Sequence, residues 1–276
     1  MRNPRLLIAV AILVFGVLSY WAKRSVNPTT GETQHVAMTT DQEVALGMQS
    51  APAMAEQFGG DDSDPQVSSE VTAIGEKLVQ RSDAARTQYR FQFHALADPH
   101  TINAFALPGG PVFITRGLLT ELQNEGQLAG VLGHEIGHVV ARHAAEQMAK
   151  TQLAQTLVGA TAVAASDRYG HGNQAALLAG FAAQMAGLRY SRKDELEADA
   201  LGVRIMSEAG YDPRAMLGVM QILSKTSRGG RQPEFLSTHP DPGNRSERIR
   251  EAINKQFPSG VPSNLSLGKE LAVTRD

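Results

Sequence analysis

The sequence contains no cysteine and few aromatic residues, with one tryptophan among its 276 residues. Without cysteine there is neither a disulfide framework nor a thiolate metal site, so any metal must be held by histidine and carboxylate side chains. The chain also has no large excess of charge of one sign, because it contains 26 Lys and Arg residues and 28 Asp and Glu residues. No nucleic-acid partner is therefore expected, since no basic field would hold its phosphates.

Long apolar runs are scarce, and the clearest one lies at residues 6–21, between Arg2 and Arg5 on one side and Lys23 and Arg24 on the other. Its length of about 16 residues falls between a secretion-signal core and a comfortable membrane span of roughly 20 residues. We interpret residues 1–24 as a signal anchor or signal peptide. The body of a bacterial protein would then lie in the periplasm, anchored to the inner membrane unless the segment is removed.

The rest of the chain predicts one mainly helical domain with a small β-sheet, an α+β fold. A linker is expected at 25–40, the domain at 41–256 and a tail at 257–276. Helices are predicted from the Asp41 cap to about residue 57, at 69–81 and, with apolar residues at helical spacing, from about 120 to 150. The predicted strands, which carry the only β signal, lie at 89–97, 103–105 and 112–114.

The clearest chemical motif lies on the predicted long helix, where residues 134–138 read His-Glu-Ile-Gly-His. Histidines four residues apart share one helix face, so His134 and His138 can both reach one zinc ion. Glu135 stands beside them, where its carboxylate can take a proton from an attacking water. The alternative, two solvated histidines, is disfavoured because nearby glycines weaken the helix and indicate close packing. The motif predicts a zinc-dependent hydrolase.

A catalytic zinc needs a third protein ligand, whose position differs between families. Ala141 and Ala144 stand where the extended metzincin motif requires glycine and histidine, so that class is excluded. In a continuous helix His143 would point about 140° away from His138, which makes it a poor ligand.

The acidic stretch at residues 191–199 is a better source of a third ligand. Ser191 followed by Asp194 resembles a capping box that starts a helix, so Glu195 and Asp199 share one face of that helix. One carboxylate can bind zinc while the other orients a zinc-bound imidazole. An acidic first turn that stabilises a helix dipole would explain part of this pattern without a metal.

These motifs resemble the membrane-linked zinc metallopeptidases that include HtpX, the Ste-type CAAX prenyl proteases, mitochondrial Oma, BepA and LoiP. The resemblance extends over about residues 41–253. Besides the two motifs, it rests on residues 103–119, on residues 190–192 and on His239-Pro240 followed by Arg245.

The resemblance implies a gluzincin-type core with one zinc ion per chain. His134, His138 and Glu195 would bind the zinc, Glu135 would be the general base, and Asp199 would support a ligand. The expected activity is that of a metalloendopeptidase for protein quality control in the cell envelope, with misfolded or membrane-associated proteins as substrates.

Two differences favour the branch with a soluble body, like BepA and LoiP. The apolar stretches at 153–165 and 175–188 are short and separated by a polar loop, unlike the further spans of HtpX and the CAAX proteases. We interpret residues 153–188 as a helical hairpin beside the active site, with a lid or a membrane-contacting segment as the alternative. No helical repeat region like that of BepA follows residue 251, so the partner binding of such repeats is not expected.

An extended substrate is expected to pair its main chain with the strand edge at Asn103, Ala104 and Phe105, a mode that tolerates many sequences. His239 could stabilise an oxyanion, occupy the fourth zinc position until substrate displaces it, or simply be a turn residue before proline. A different class of function is a zinc-containing envelope chaperone or scaffold that binds unfolded chains without cutting them. The intact Glu135 argues against it, because binding needs no general base.

Overall fold

The computed structural model describes residues 4–165, 189–228, 233–240 and 243–273. The second half of the predicted helical hairpin, at 175–188, lies outside these residues. The described helices are α1 (Pro4–Ala22), α2 (Thr40–Gln57), α3 (Pro65–Gln80), α4 (Arg116–Leu119), α5 (Glu125–Val140), α6 (His143–Ala165), α7 (Arg192–Glu208), α8 (Ala215–Arg228), α9 (Phe235–Thr238) and α10 (Arg245–Gln256), with a 3-10 helix at Asp83–Arg86. The described strands are β1 (Arg24–Val26), β2 (Thr33–His35), β3 (Gln92–Leu96), β4 (Ala104–Ala106) and β5 (Pro111–Thr115). The predicted class, mainly helical with a small β-sheet, is confirmed.

Helix α1 packs along α6, and a Cβ added to Gly16 would lie 2.9 Å from the methyl group of Thr156. Large apolar side chains on α1 remain exposed, among them Phe15, Leu18 and Trp21. In the part of the chain that the structure describes, none of the helices combines the length and the apolar character needed to cross a membrane.

The predicted linker contains a β-hairpin that the sequence did not indicate, formed by β1 and β2 in antiparallel register. The hairpin is attached to the end of α5 by two side chains. Asn27 Nδ2 donates to Val140 O at 2.9 Å, and Gln34 Nε2 donates to Ala141 O at 2.8 Å. These bonds satisfy carbonyl groups at the helix end that have no partner within the helix. The earlier expectation of a single β region was therefore wrong.

Helices α2 and α3 begin earlier than predicted because of their capping residues. The N-cap of α2 is Thr39 rather than Asp41, since Thr39 and Gln42 form a capping box in which each side chain bonds the backbone of the other. Helix α3 begins at Pro65 rather than at residue 69, after an Asp64 side chain that accepts a hydrogen bond from Gln66 N. A proline in the first turn is compatible with a helix, which lets the segment start there.

The three-stranded sheet has the order β3-β5-β4, with β3 parallel and β4 antiparallel to β5. The predicted strands are confirmed, with ends shifted by a few residues. Thr115 N donates to Asn103 O at 3.0 Å, and Leu107 N donates to Pro111 O of β5 at 2.8 Å. Because paired residues alternate in an antiparallel ladder, Ala104 and Ala106 direct their own N–H and C=O groups away from β5. Strand β4 is therefore an edge strand within the described residues.

The predicted continuous helix from about 120 to 150 is wrong, because this region contains α5 and only the beginning of α6, up to residue 150, with a break between the two helices. Asn124 starts α5 by accepting a hydrogen bond from Gln127 N. Arg142 ends the continuity with a φ of 62°, a left-handed conformation that non-glycine residues rarely adopt. Its guanidinium holds the conformation by donating to Glu43 Oε1 at 2.8 Å and to Met38 O at 2.7 Å. Apolar periodicity carries no signal for such a break.

Helix α5 is the centre of the core and crosses α7 at very short range. A Cβ added to Gly202 would lie 3.1 Å from His134 N, and one added to Gly137 would lie 3.0 Å from Ala198 O. The two backbones can approach this closely because glycine has no side chain at either point. The crossing brings the first turn of α7 against the histidine pair on α5.

The predicted tail runs back to the start of α5. Glu125 N donates to Lys269 O at 2.9 Å, and Gly126 N donates to Leu267 O at 2.7 Å. Both donors belong to the first turn of α5, whose N–H groups have no partner within the helix. The tail therefore caps the helix that carries the histidines.

The helix crossing predicts a strong effect of side-chain volume at residue 202. Gly202→Leu should lower the free energy of unfolding by about 1–3 kcal/mol, because the new side chain forces two backbones apart. A matched control is Gly218→Leu on α8, where an added Cβ meets only the flexible end of Gln127. Urea denaturation of the full chain, followed by circular dichroism, measures both. An equal loss of the free energy of unfolding in the two variants would contradict the importance of the helix crossing.

Candidate metal centre

Four buried side chains place one potential metal ligand each in a single cluster. His134 and His138 come from α5, Glu195 from the first turn of α7, and His239 from the residue that follows α9. The four ligand atoms all lie within 4.8 Å of one another, and each of these residues is at most 2% exposed. The structure thus brings together the three residues predicted as ligands, and it places beside them His239, for which the fourth zinc position was one of the predicted roles.

The distances within the cluster suit a tetrahedral ion. His134 Nε2 lies 3.0 Å from His138 Nε2 and 3.3 Å from His239 Nδ1. Glu195 Oε1 lies 3.0 Å from His239 Nδ1 and 3.4 Å from His138 Nε2. In a tetrahedral zinc site with bonds near 2.0–2.1 Å, neighbouring ligand atoms are separated by about 3.3–3.4 Å. The spacing therefore fits zinc.

Polar atoms around the cluster lack hydrogen bonds that a closed interior normally supplies. Among the residues that the structure describes, neither carboxylate oxygen of Glu135 has a hydrogen-bond partner, and the same is true of Glu195 Oε2 and His239 Nε2. Glu135 is fully buried, with His239 Nε2 at 3.5 Å from its Oε1. Buried polar atoms without partners are costly, and these are the atoms that a metal ion and its water would satisfy. The residues present therefore fit a zinc ion held by nitrogen and oxygen ligands.

Local sequence explains how these side chains reach one point. The four-residue spacing of His134 and His138 places both imidazoles on one face of α5. The predicted capping box at the start of α7 is present, since the side chain of Ser191 accepts from Asp194 N and Asp194 accepts from Ser191 N. It fixes the first helical turn, so Glu195 points at the histidine pair.

Asp199 and Arg245 form a buried ion pair behind His134. Asp199 Oδ1 lies 2.9 Å from His134 Nδ1, and Arg245 donates to both oxygens of Asp199 at 2.8 Å. Burial would raise the pKa of Asp199, but Arg245 and His134 outweigh it and hold that pKa below its usual value. A carboxylate on Nδ1 determines which imidazole nitrogen faces the metal. Asp199 therefore lies where its predicted supporting role requires.

Arg245 is a residue whose role sequence reasoning missed, although the family resemblance singled out its position. It is 1% exposed, and its Nη1 lies 3.3 Å from Glu195 Oε2. One guanidinium thus contacts the carboxylates of both Glu195 and Asp199. Only the fold of α10 against α7, which is a long-range contact, brings it there.

The two glutamates of the site have pKa values shifted in opposite directions. Burial raises the pKa of Glu135 above its usual range. Burial acts in the same direction on Glu195, yet His239 and His138 outweigh it and hold the pKa of Glu195 below its usual range. Carboxylates whose environments separate their pKa values are typical of sites where one acts as base and the other as a permanent anion.

Aromatic rings support two of the histidines. The ring of Tyr190 stacks on His138 with centroids 4.0 Å apart, and that of Phe235 stacks on His239 at 4.4 Å. The two aromatic rings fill the space beside the imidazoles and so restrict the rotation of the imidazole rings. The sequence offered no chemical signal for either contact.

His143 takes a position that the continuous-helix prediction excluded. Because Arg142 breaks the helix, His143 Nδ1 lies 2.9 Å from His138 Nδ1. It contacts the nitrogen on the far side of the ligand imidazole, so it is not one of the four clustered donors.

The predicted substrate residues lie on the edge strand close to the cluster. Asn103 and Ala104 are at most 2% exposed, and Asn103 Nδ2 donates to Glu234 Oε1 at 3.3 Å. Phe105 is half-buried and stacks on Phe113 of β5. The segment before His239 therefore lies directly beside the start of β4.

Comparison with known proteins gives a consistent result. Residues 65–253 match the sequence model of peptidase family M48. The chain is 32% identical over 251 residues to the beta-barrel assembly-enhancing protease of Yersinia pestis, which covers 86% of this chain and 49% of that protein. It is 32% identical over 209 residues to the protein of the same name from Escherichia coli K12, which covers 73% of this chain and 42% of that protein.

The mitochondrial metalloendopeptidase OMA1 of Schizosaccharomyces pombe is 38% identical over 163 residues, covering 59% of this chain and 46% of that protein. The chain thus spans about half the length of the curated relatives it matches. The family match includes more than half of the chain and three of the four clustered donors come from its two motifs, so the chain belongs to peptidase family M48.

Proposed function

We propose that this protein is a zinc-dependent metalloendopeptidase that cuts unfolded or extended protein segments. The observation that carries the proposal is the buried cluster of His134, His138 and Glu195, with the unbonded carboxylate of Glu135 beside it. Membership of a peptidase family supports the same reaction class.

The chemistry follows from the residues around the cluster. When bound, zinc supplies a water molecule with a pKa lowered to about 7 and polarises the scissile carbonyl group. Glu135 accepts the proton of the attacking water and passes it to the leaving amine, and its raised pKa suits this exchange. Asp199 keeps His134 in one tautomer and orientation.

We propose that substrate binds as an additional strand beside β4. The outward N–H and C=O groups of Ala104 and Ala106 offer main-chain hydrogen bonds that do not depend on substrate sequence. Asn103 lies at the start of this edge, and Phe105 lies between the two alanines. Because Ala104 and Ala106 are at most 3% exposed, the neighbouring segment must move before substrate can pair.

His239 supports a latent form of the site. Its Nδ1 occupies the fourth donor position, and its Nε2 lies 3.5 Å from Glu135 Oε1. A histidine at this place excludes both the substrate carbonyl and the attacking water. We therefore favour the blocking role over the oxyanion role, since an oxyanion donor has to stand outside the metal's own ligands.

The cellular setting is proposed from the sequence and from the relatives. Residues 1–24 would anchor or export the protein at the inner membrane, with the peptidase domain at 41–256 in the periplasm. Two relatives are named beta-barrel assembly-enhancing proteases, and this name favours envelope quality control. The near-neutral charge supports protein substrates rather than a nucleic-acid partner.

The binding-only alternative, an envelope chaperone or scaffold, is not favoured. Family membership indicates a peptidase, and a fully buried Glu135 without a hydrogen bond is costly unless it has a chemical use.

Glu135→Gln should abolish cleavage while zinc stays bound. We expect the full chain to bind one zinc and to cut casein, and the variant to be slower by about 100-fold or more, because its amide cannot accept the proton. Glu251→Gln, on the exposed surface of α10, is the matched control and should cut at the normal rate. Metal analysis and electrophoresis measure the two results. A chain without zinc would contradict the ligand assignment, and undiminished cleavage by Glu135→Gln would exclude the base.

His239→Ala should raise the basal rate of casein cleavage, because it frees the fourth donor position. His100→Ala, at an exposed histidine that is not one of the four clustered donors, is the matched control and should leave the rate unchanged. A lower rate in His239→Ala would support the oxyanion role instead. An unchanged rate would exclude both roles. Initial rates on fluorescent casein, at equal zinc content, decide among these results.

A further inference from the structure

The nitrogen of His138 that faces away from the donor cluster has a buried polar partner. His143 Nδ1 lies 2.9 Å from His138 Nδ1, and His143 is 2% exposed. On its other side, His143 Nε2 lies 3.4 Å from Glu197 Oε2. A row of three side chains, Glu197, His143 and His138, therefore leads from α7 into the cluster.

Only one assignment of protons to the ring nitrogens of His138 and His143 is consistent with this row of contacts. A metal binds the unprotonated nitrogen of a neutral imidazole, so Nε2 of His138 is free of hydrogen and its Nδ1 carries the proton. That N–H donates to His143 Nδ1, which must then be the acceptor. A neutral His143 carries its own proton on Nε2, and this N–H points at the carboxylate of Glu197. Each nitrogen thus has one defined role.

The fold delivers His143 to this place through an unusual backbone conformation. A continuous helix would turn His143 about 140° away from His138. The left-handed conformation of Arg142 ends α5 and starts α6 in a new direction. Such a conformation is unfavourable for a residue with a side chain, and the buried Glu43 holds it by binding the guanidinium. The break therefore serves to place His143.

Glu197 is also held from several sides. His143 Nε2 lies 3.4 Å from its Oε2, and the side chains of Thr30 and Lys193 also interact with its carboxylate. Lys193 in turn donates to Glu32 at 2.8 Å. The turn between β1 and β2, which carries Thr30 and Glu32, therefore contacts the outer end of the row.

We infer that His143 is a positioning residue, which holds the ligand His138 in the correct tautomer and orientation with Glu197 behind it. This inference rests on the proposed zinc site. The two ligand histidines are supported differently, because His134 contacts the carboxylate of Asp199 directly whereas His138 reaches a carboxylate through a second imidazole.

The test is the zinc affinity of the full chain, freed of metal and titrated against a chromophoric chelator. Loss of a group that orients a ligand histidine weakens metal binding by about 10- to 100-fold. We expect this loss in His143→Leu, which removes the acceptor at constant burial. In His143→Asn the amide oxygen can replace the Nδ1 acceptor, so this variant should recover most of the affinity. Glu197→Ala should show a smaller loss than His143→Leu.

His94→Leu is the matched control, because His94 also contacts a carboxylate, that of Asp61, but lies outside the cluster. It should bind zinc as tightly as the unsubstituted chain. Normal affinity in His143→Leu, or an equal loss in His143→Asn and His143→Leu, would overturn the positioning role.

Two further outcomes separate this inference from the proposed function. A chain that binds no zinc overturns the proposed function and this inference with it. If His143→Leu fails to fold, His143→Asn and Glu197→Ala decide: near-normal affinity in the first with reduced affinity in the second supports the role. Normal affinity in Glu197→Ala, or a full loss in His143→Asn, overturns it.

Discussion

The close crossing of α5 and α7 is the constraint on which the site depends. Gly202 lies against the backbone of His134, and no other residue type would allow this approach without displacement. The crossing sets the distance between the histidines on one helix and Glu195 on the other. Other parts of the fold stabilise it, since the tail caps the start of α5 and the hairpin binds its end.

The same crossing buries several charges, and their arrangement supports the latent centre proposed above. Arg245 lies between Glu195 and Asp199, so two acidic side chains share one cation in a closed interior. A zinc ion held by the clustered donors would add positive charge beside Glu135 and Glu195 and would use the histidine nitrogens. The segment that carries His239 also lies against the proposed substrate edge, because Phe235 N donates to Ile102 O, just before β4, at 3.1 Å. Release of one short segment would therefore open both the fourth donor position and β4.

Sequence reasoning predicted the parts of the site that depend on helical spacing. The pairs His134 with His138 and Glu195 with Asp199 follow from the four-residue period, which needs no knowledge of tertiary structure. Arg245 and the hairpin could not be predicted in this way, because their partners are remote in sequence. His143 was missed for a local reason, since a left-handed Arg142 leaves no mark in the apolar pattern. The partner that stabilises it, Glu43, lies 99 residues away.

The most direct test of the account is X-ray absorption at the zinc edge on the zinc-loaded full chain. The account predicts a four-coordinate site with nitrogen and oxygen ligands at about 2.0–2.1 Å and with scattering from three imidazole rings. In His239→Ala the imidazole scattering should fall to that of two rings. An unchanged spectrum in His239→Ala and also in His134→Ala would contradict the account, because the zinc would then be bound elsewhere.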